Sequence, residues 1–349
     1  MVSVSGMKLD NQKIEPFICY VAGKSGGHII PALTHAQNEK RKNKALKVLF
    51  FSTNSALDRS LLDAHKDITV YKPLELGNIP RKNIFAWPKF MMQLMMVVWQ
   101  SFSLLKKHKP AKVVSMGGYI SVPVCLAARV LGIPIEVYEL NVVPGVAVKL
   151  VSKWAQVTHL CFAQTKHFLP ASAPWKLAAY PLRYTDEDRC EVWQARKKLG
   201  IPGEHTKVIL VLGGSQGSRF INELMQNYVL KTKHYADYYI IHQTGAADVE
   251  SVRAFYVRHG ITALVFAYRP DIHLCYAAAD IVVARAGAGT LFELLFFHKP
   301  SLIIPLETAT TDHQKDNALS MQSENPELFV VFLQADVEKS PRDFFDCLG

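Results

Sequence analysis

Four times in this chain an apolar run of four to six residues ends in a glycine-rich turn and passes into a stretch of helical period. The runs are 17–22, 112–115, 208–212 and 281–284. A strand that is apolar at nearly every position is buried on both faces, and a buried parallel strand reaches its neighbour only through a crossover, usually a helix. Further runs at 48–51, 68–71, 135–138, 157–161, 238–242, 263–266 and 302–304 are separated by segments long enough for such crossovers. This predicts α/β architecture with parallel sheets covered by helices on both faces. The pattern restarts after Pro181, and 349 residues suffice for two cores. The reading is two doubly wound Rossmann-like domains, 1–182 and 183–349, facing across a cleft.

The glycine turns carry the chemistry. The first runs Gly23-Lys24-Ser25-Gly26-Gly27-His28, the second Gly117-Gly118-Tyr119, the third Gly213-Gly214-Ser215-Gln216-Gly217-Ser218. Glycine lets backbone N–H groups close on an anion, and the helix that follows adds about half a positive charge at its start. A tight strand-to-helix turn needs glycine for steric reasons alone, but three such turns at strand C-terminal ends point to phosphate or diphosphate ligands. There is no GxxxxGK[ST], and no GxGxxG followed by an acid about 20 residues on, which disfavours P-loop and ordinary dinucleotide-binding proteins. The fourth turn, Arg285-Ala286-Gly287-Ala288-Gly289-Thr290, is followed by Glu293 within a helix. That carboxylate either grips ribose hydroxyls or complements the helix dipole.

Charge narrows the partners. Residues 1–150 hold 20 Lys and Arg against 9 Asp and Glu, a net of +11, while residues 151–349 hold 20 against 21, a net of −1. The first domain therefore expects an anionic partner. Nucleic acid is disfavoured, because the basic residues lack interleaved aromatics and any known module. The segment 90–105, FMMQLMMVVWQSFSLL, is bounded by Lys89 and by Lys106, Lys107 and Lys109, with Arg81, Lys82 and Trp87 upstream. It is too short for a transmembrane helix, which takes about 20 apolar residues. It is either a buried helix or an apolar face for an anionic membrane surface. Six cysteines without a CxxC pair argue against a zinc ribbon or disulfide framework and for a reducing compartment. The polar first 15 residues lack an apolar core, so no secretory signal is expected. The acidic triplet 186–188 is either a solvated charge run or a divalent-ion ligand, and the expectation is that no metal is required for chemistry.

Several segments together resemble the MurG family of peripheral membrane glycosyltransferases, in order from about residue 17 to 320. The first turn is similar to GGTGGHxxP, the second to that family's next glycine loop, and Tyr138-Glu139-Leu140-Asn141 to HEQN. Tyr180-Pro181-Leu182-Arg183 is similar to NPVR. The third turn matches GGSQGA, His242-Gln243-Thr244-Gly245 matches HQSG, and the fourth turn with Glu293 resembles RSGALTxxE. His313-Gln314 to Asn317-Ala318 resembles QQxxNA.

The resemblance implies a GT-B fold and inverting transfer of N-acetylglucosamine from UDP-N-acetylglucosamine to the muramoyl 4-hydroxyl of the undecaprenyl-diphosphate-linked acceptor lipid I. The product is lipid II, made at the cytoplasmic face of the inner membrane. It further implies that Ser215, Gln216 and nearby amides hold the donor diphosphate, that Asn141 and Arg183 line the donor site, and that Glu293 binds ribose. Ala288, Gly289, Thr290 and the backbone at Arg269 would surround the nucleotide, and Gln314 would read the sugar. Ser25, Gly26 and Gly27 would touch the donor from the other side, with the acceptor diphosphate near Gly23, Lys24, Gly117, Gly118 and Tyr119. Sugar transfer needs a base, and His28 is the candidate, with loop capping as its alternative role and Glu139 as rival base.

Lys24, Leu140, Gly289 and His313 depart from the family pattern and bear on donor selectivity. Only 31 residues follow Ala318, fewer than the family's C-terminal segment, and weaker domain coupling is expected. Neighbouring readings are a related glycolipid transferase, a UDP-sugar 2-epimerase, and a UDP-sugar-binding protein without activity.

Overall fold

The computed structural model describes residues 16–23, 25–63, 65–77, 79–80, 84–203, 207–214, 216–232, 237–307 and 313–349. Arg81, Lys82 and the site candidates Lys24 and Ser215 lie outside the described residues. The first sheet comprises β1 (Phe17–Val21), β2 (Lys47–Thr53), β3 (Val70–Leu74), β4 (Lys112–Ser115), β5 (Ile135–Glu139), β6 (Val157–Leu160) and β7 (Trp175–Leu177). All pairings are parallel, in the order β3-β2-β1-β4-β5-β6-β7. Between the strands run α1 (Gly26–Lys42), α2 (Ala56–Leu62), α3 (Trp87–His108), α4 (Ser121–Val130) and α5 (Val146–Val151). The second sheet comprises β8 (Lys207–Leu212), β9 (Tyr238–Gln243), β10 (Ala263–Phe266), β11 (Ile281–Ala284), β12 (Ser301–Ile303) and β13 (Phe329–Val331), parallel in the order β10-β9-β8-β11-β12-β13. Its helices are α6 (Val192–Leu199), α7 (Arg219–Lys231), α8 (Val249–Arg258), α9 (Ile272–Ala278), α10 (Ala288–Phe296), α11 (His313–Glu324), α12 (Gln334–Lys339) and α13 (Arg342–Leu348).

Central strands such as β1, β2, β8 and β9 are buried along almost their whole length, so each sheet has an apolar core on both faces. In both sheets the chain reverses its direction of growth between the first and fourth strands, β1 and β4 in one, β8 and β11 in the other. Ligands bind outside the carboxyl ends of strands at such switch points. The four glycine turns follow these four strands, so sheet order brings them together in pairs.

Three expectations are corrected. The run at 68–71 is displaced: β3 begins at Val70 and includes Pro73. Proline lacks an N–H for the ladder, and β3 is tolerated because it is an edge strand. The short strands β7 and β13 were not anticipated; β7 is exposed throughout and is defined by its pairing to β6. The segment 90–105 is not a buried helix. In α3 only Val97, Ser101 and Leu105 are fully buried, packing toward α4, while Trp87, Met91, Met92, Met95, Met96 and Trp99 are exposed on the other side, Trp99 at 70%. Among the described residues no helix is long and apolar enough to cross a membrane.

The segment between Leu177 and Lys207 joins the sheets, and α6 within it packs on α9. Helices α12 and α13 close the underside of the second sheet with Val337, Phe344 and Leu348. The domains meet through α11, where fully buried Asn317 accepts from Val142 N (2.8 Å) and donates to Asn141 Oδ1 (3.0 Å).

Candidate active site

The first switch point holds Gly23 and His28. A Cβ on Gly23 would lie 3.0 Å from both Asp58 Oδ2 and Thr53 N, so only glycine lets β1 turn here against β2. Fully buried Asp58 organises that floor: its carboxylate accepts from Thr53 N (3.0 Å), Thr53 Oγ1 (2.6 Å) and Ser55 Oγ (2.7 Å). Gly26 starts α1, which places His28 in its first turn. His28 Nδ1 lies 3.4 Å from Gly23 O and 3.3 Å from Ser25 Oγ. A carbonyl can only accept, so this contact favours the tautomer with hydrogen on Nδ1 and a lone pair on Nε2. Burial lowers the His28 pKa below the ordinary imidazole value against the opposing pull of the Gly23 carbonyl, and His313 of the second domain lowers it further. The ring is therefore neutral at pH 7 and can accept a proton.

The second turn packs on the same ring. Gly117 and Gly118 have φ of 89° and 82°, and a Cβ on Gly117 would sit 3.6 Å from His28 Nε2. Tyr119 is in the turn, with its hydroxyl donating to Leu76 O (2.7 Å). Glu139, at the end of β5, is nearly buried, and Oε1 accepts from both Asn141 N (2.9 Å) and Asn141 Nδ2 (3.2 Å). Burial pushes its carboxyl up to about 7. Asn141 is thereby held at the domain seam, between Glu139 and Asn317.

The second switch point is a cationic cradle. Gly214 and Gly217 have φ of 89° and 80°, and a Cβ on Gly217 would overlap Thr244 O. Ser218 caps α7 by accepting from Ile221 N, although at 3.4 Å the bond is long. Arg285, at the end of β11, reaches beneath this turn, donating to Ser218 Oγ from Nε (3.1 Å) and Nη2 (2.8 Å) and to Gln334 Oε1 from Nη1 (2.9 Å). Burial lowers its pKa only to about 10, so it stays charged at neutral pH. Among the described residues no carboxylate pairs with Arg285. Gln216 is exposed in the turn.

The remaining candidates form two groups. Arg183 Nε donates to Glu293 Oε1 (3.0 Å), and Tyr276 Oη donates to Glu293 Oε2 (2.7 Å). A carboxylate has about four lone-pair positions, so Glu293 retains capacity for a hydroxyl. Ala288, Gly289 and Thr290 form the first turn of α10, one turn before it. Gln314 Oε1 accepts from Leu306 N (3.1 Å). Arg269 is set apart in a bidentate pair with Asp271 (2.9 and 2.6 Å). The 186–188 triplet forms an exposed 3-10 turn in which Asp188 accepts from Thr185 N and Oγ1. Asp58, Asn317 and Tyr180 were not singled out by site chemistry; their roles arise from contacts between distant segments.

Two doubly wound domains, each with its glycine turns at a switch point, define a GT-B protein. A model of the glycosyltransferase family 28 N-terminal domain matches residues 18–159, and one of the family 28 C-terminal domain matches 208–339. The chain is 34% identical over 303 residues to the UDP-N-acetylglucosamine--N-acetylmuramyl-(pentapeptide) pyrophosphoryl-undecaprenol N-acetylglucosamine transferase of Protochlamydia amoebophila, covering 85% of this chain and 78% of that one. It is 32% identical over 308 residues to the protein of the same name from Myxococcus xanthus, covering 87% and 77%. The crystal structure of Acinetobacter baumannii MurG matches with a TM-score of 0.74 at 24% identity, over 95% of this chain and 90% of that one. This chain belongs to the MurG family, within glycosyltransferase family 28.

Proposed function

We propose that this protein transfers N-acetylglucosamine from UDP-N-acetylglucosamine to the muramoyl 4-hydroxyl of lipid I, with inversion. The observation that carries the reading is the placement of His28 at one switch point and of Arg285 with the third glycine turn at the other. The acceptor oxygen attacks the sugar C1 while the bond from C1 to the β-phosphate oxygen breaks. The hydroxyl proton passes to His28 Nε2, and UDP leaves with the bonding pair. The backbone amides of the third turn, the start of α7 and the charge of Arg285 stabilise the departing diphosphate, and no metal is required for that step. Arg183, Glu293 and the first turn of α10 hold the nucleotide, and Gln314 orients toward the sugar. The acceptor diphosphate takes the first two glycine turns on the basic half of the chain.

The exposed face of α3 supports peripheral attachment to the cytoplasmic membrane face. Its Met and Trp side chains enter the interface, while Lys89, Lys106, Lys107 and Lys109 meet anionic headgroups. Purified protein supplied with UDP-N-acetylglucosamine and a lipid I analogue is expected to release UDP only when the analogue is present. Saturable UDP binding without acceptor-dependent release would overturn the transferase assignment while leaving the nucleotide site.

A further inference from the structure

Gly289 and Tyr180 lie against each other although they come from different parts of the chain. Tyr180 belongs to the segment after β7, and its ring packs against apolar cores of both domains. It stacks on Phe292 of α10, with centroids 4.7 Å apart and planes 18° from parallel. A Cβ on Gly289 would lie 3.2 Å from Tyr180 Oη, tighter than ordinary contact. Arg183, three residues after Tyr180, reaches Glu293, four residues after Gly289. The tyrosine hydroxyl is therefore next to the turn that carries the nucleotide candidates. Among the described residues it has no hydrogen-bond partner, and the residue is half-buried.

With glycine at 289 the Tyr180 ring lies over the first turn of α10, and a Cβ there would press on its hydroxyl. We propose that Tyr180 is a donor-binding residue of this protein, its ring forming a wall of the uridine-nucleotide subsite in place of a side chain at 289. In this arrangement its hydroxyl donates a hydrogen bond to an oxygen of the bound nucleotide. This rests on the transferase reading above for the nature of the ligand. The hydroxyl stays protonated, because burial raises its pKa above the ordinary phenol value.

The test is calorimetric titration of the full chain with UDP, comparing unmodified protein, Y180F, G289A and the double variant, with circular dichroism and thermal melts as folding controls. Loss of one hydrogen bond predicts about three- to tenfold weaker UDP binding by Y180F. G289A pushes on the hydroxyl and is expected to weaken binding at least tenfold. Added to Y180F, where that oxygen is gone, it should cost no more than about twofold further. The same variants should raise the donor KM by a larger factor than they lower kcat. UDP binding by Y180F equal to that of unmodified protein, or strictly independent effects of the two substitutions, would overturn the assignment of Tyr180 alone. Unmodified protein that binds no UDP would overturn the donor site itself, and this inference with it.

Discussion

At the scale of single residues, the proposed roles divide the candidate site into a base and the groups that hold it. His28 is neutral at pH 7 because burial and His313 disfavour its charged form, and its Nδ1 contact with Gly23 leaves Nε2 to accept a proton. His28→Ala is expected to lower kcat by about 10²–10⁴ while leaving UDP affinity within about twofold. Turnover close to normal would remove His28 from the role of base. His28 was legible from its place at the end of a glycine turn. Asp58 was not, because its carboxylate meets the Gly23 turn only once β1 and β2 are neighbours. Tyr180 was read as part of a motif, but its contact with Gly289 spans two cores that the linear order keeps apart.

Among the elements, α3 shows most plainly what hydropathy alone leaves open. Its composition suits a buried helix as well as a membrane-facing one, and the sequence pattern leaves both standing. Packing excludes only the fully buried helix: Val97, Ser101 and Leu105 occupy the contact with the fold, and Met92, Met95, Met96 and Trp99 are more than half exposed. We expect the protein to sediment with vesicles containing anionic lipid. The double substitution M95E/W99E should weaken that association at least tenfold without changing the melting temperature by more than a few degrees. Added salt should weaken the unmodified protein's binding in part, through its lysines. Equal sedimentation of variant and unmodified protein would discard α3 as the attachment face. The strands show the converse. Central ones declare themselves by unbroken apolar runs, whereas β7 has three exposed residues and exists because β6 offers it a ladder.

For the whole molecule, burial of titratable groups sets the response to acid. His35 lies between the hydroxyls of Tyr20 and Tyr138 (2.8 and 2.9 Å), and burial lowers its pKa to about 4. His242, between Tyr256 and Asn222 (2.9 and 3.0 Å), is lowered to about 3 by burial. Between about pH 4.5 and 6.5 the unfolded chain binds protons at both histidines and the folded chain does not, so both contribute stability that is lost on acidification. Glu139 has the opposite sign: with a folded pKa near 7, it holds its proton across that window when folded but not when unfolded. Two histidines against one carboxyl leave stability falling with decreasing pH, at the order of 1 kcal/mol per unit. The urea midpoint should therefore drop steadily from pH 6.5 to 4.5, and a midpoint that is flat or rises would contradict these burial assignments. By itself the sequence determined the α/β class, the glycine turns and the family, because strand hydropathy, turn stereochemistry and short motifs are local. Which turns face one another, which face of α3 stays open, and how Tyr180 fits Gly289 were decided only by tertiary structure. Those features depend on strand order and on packing between elements that are not neighbours in the chain, which no local pattern encodes.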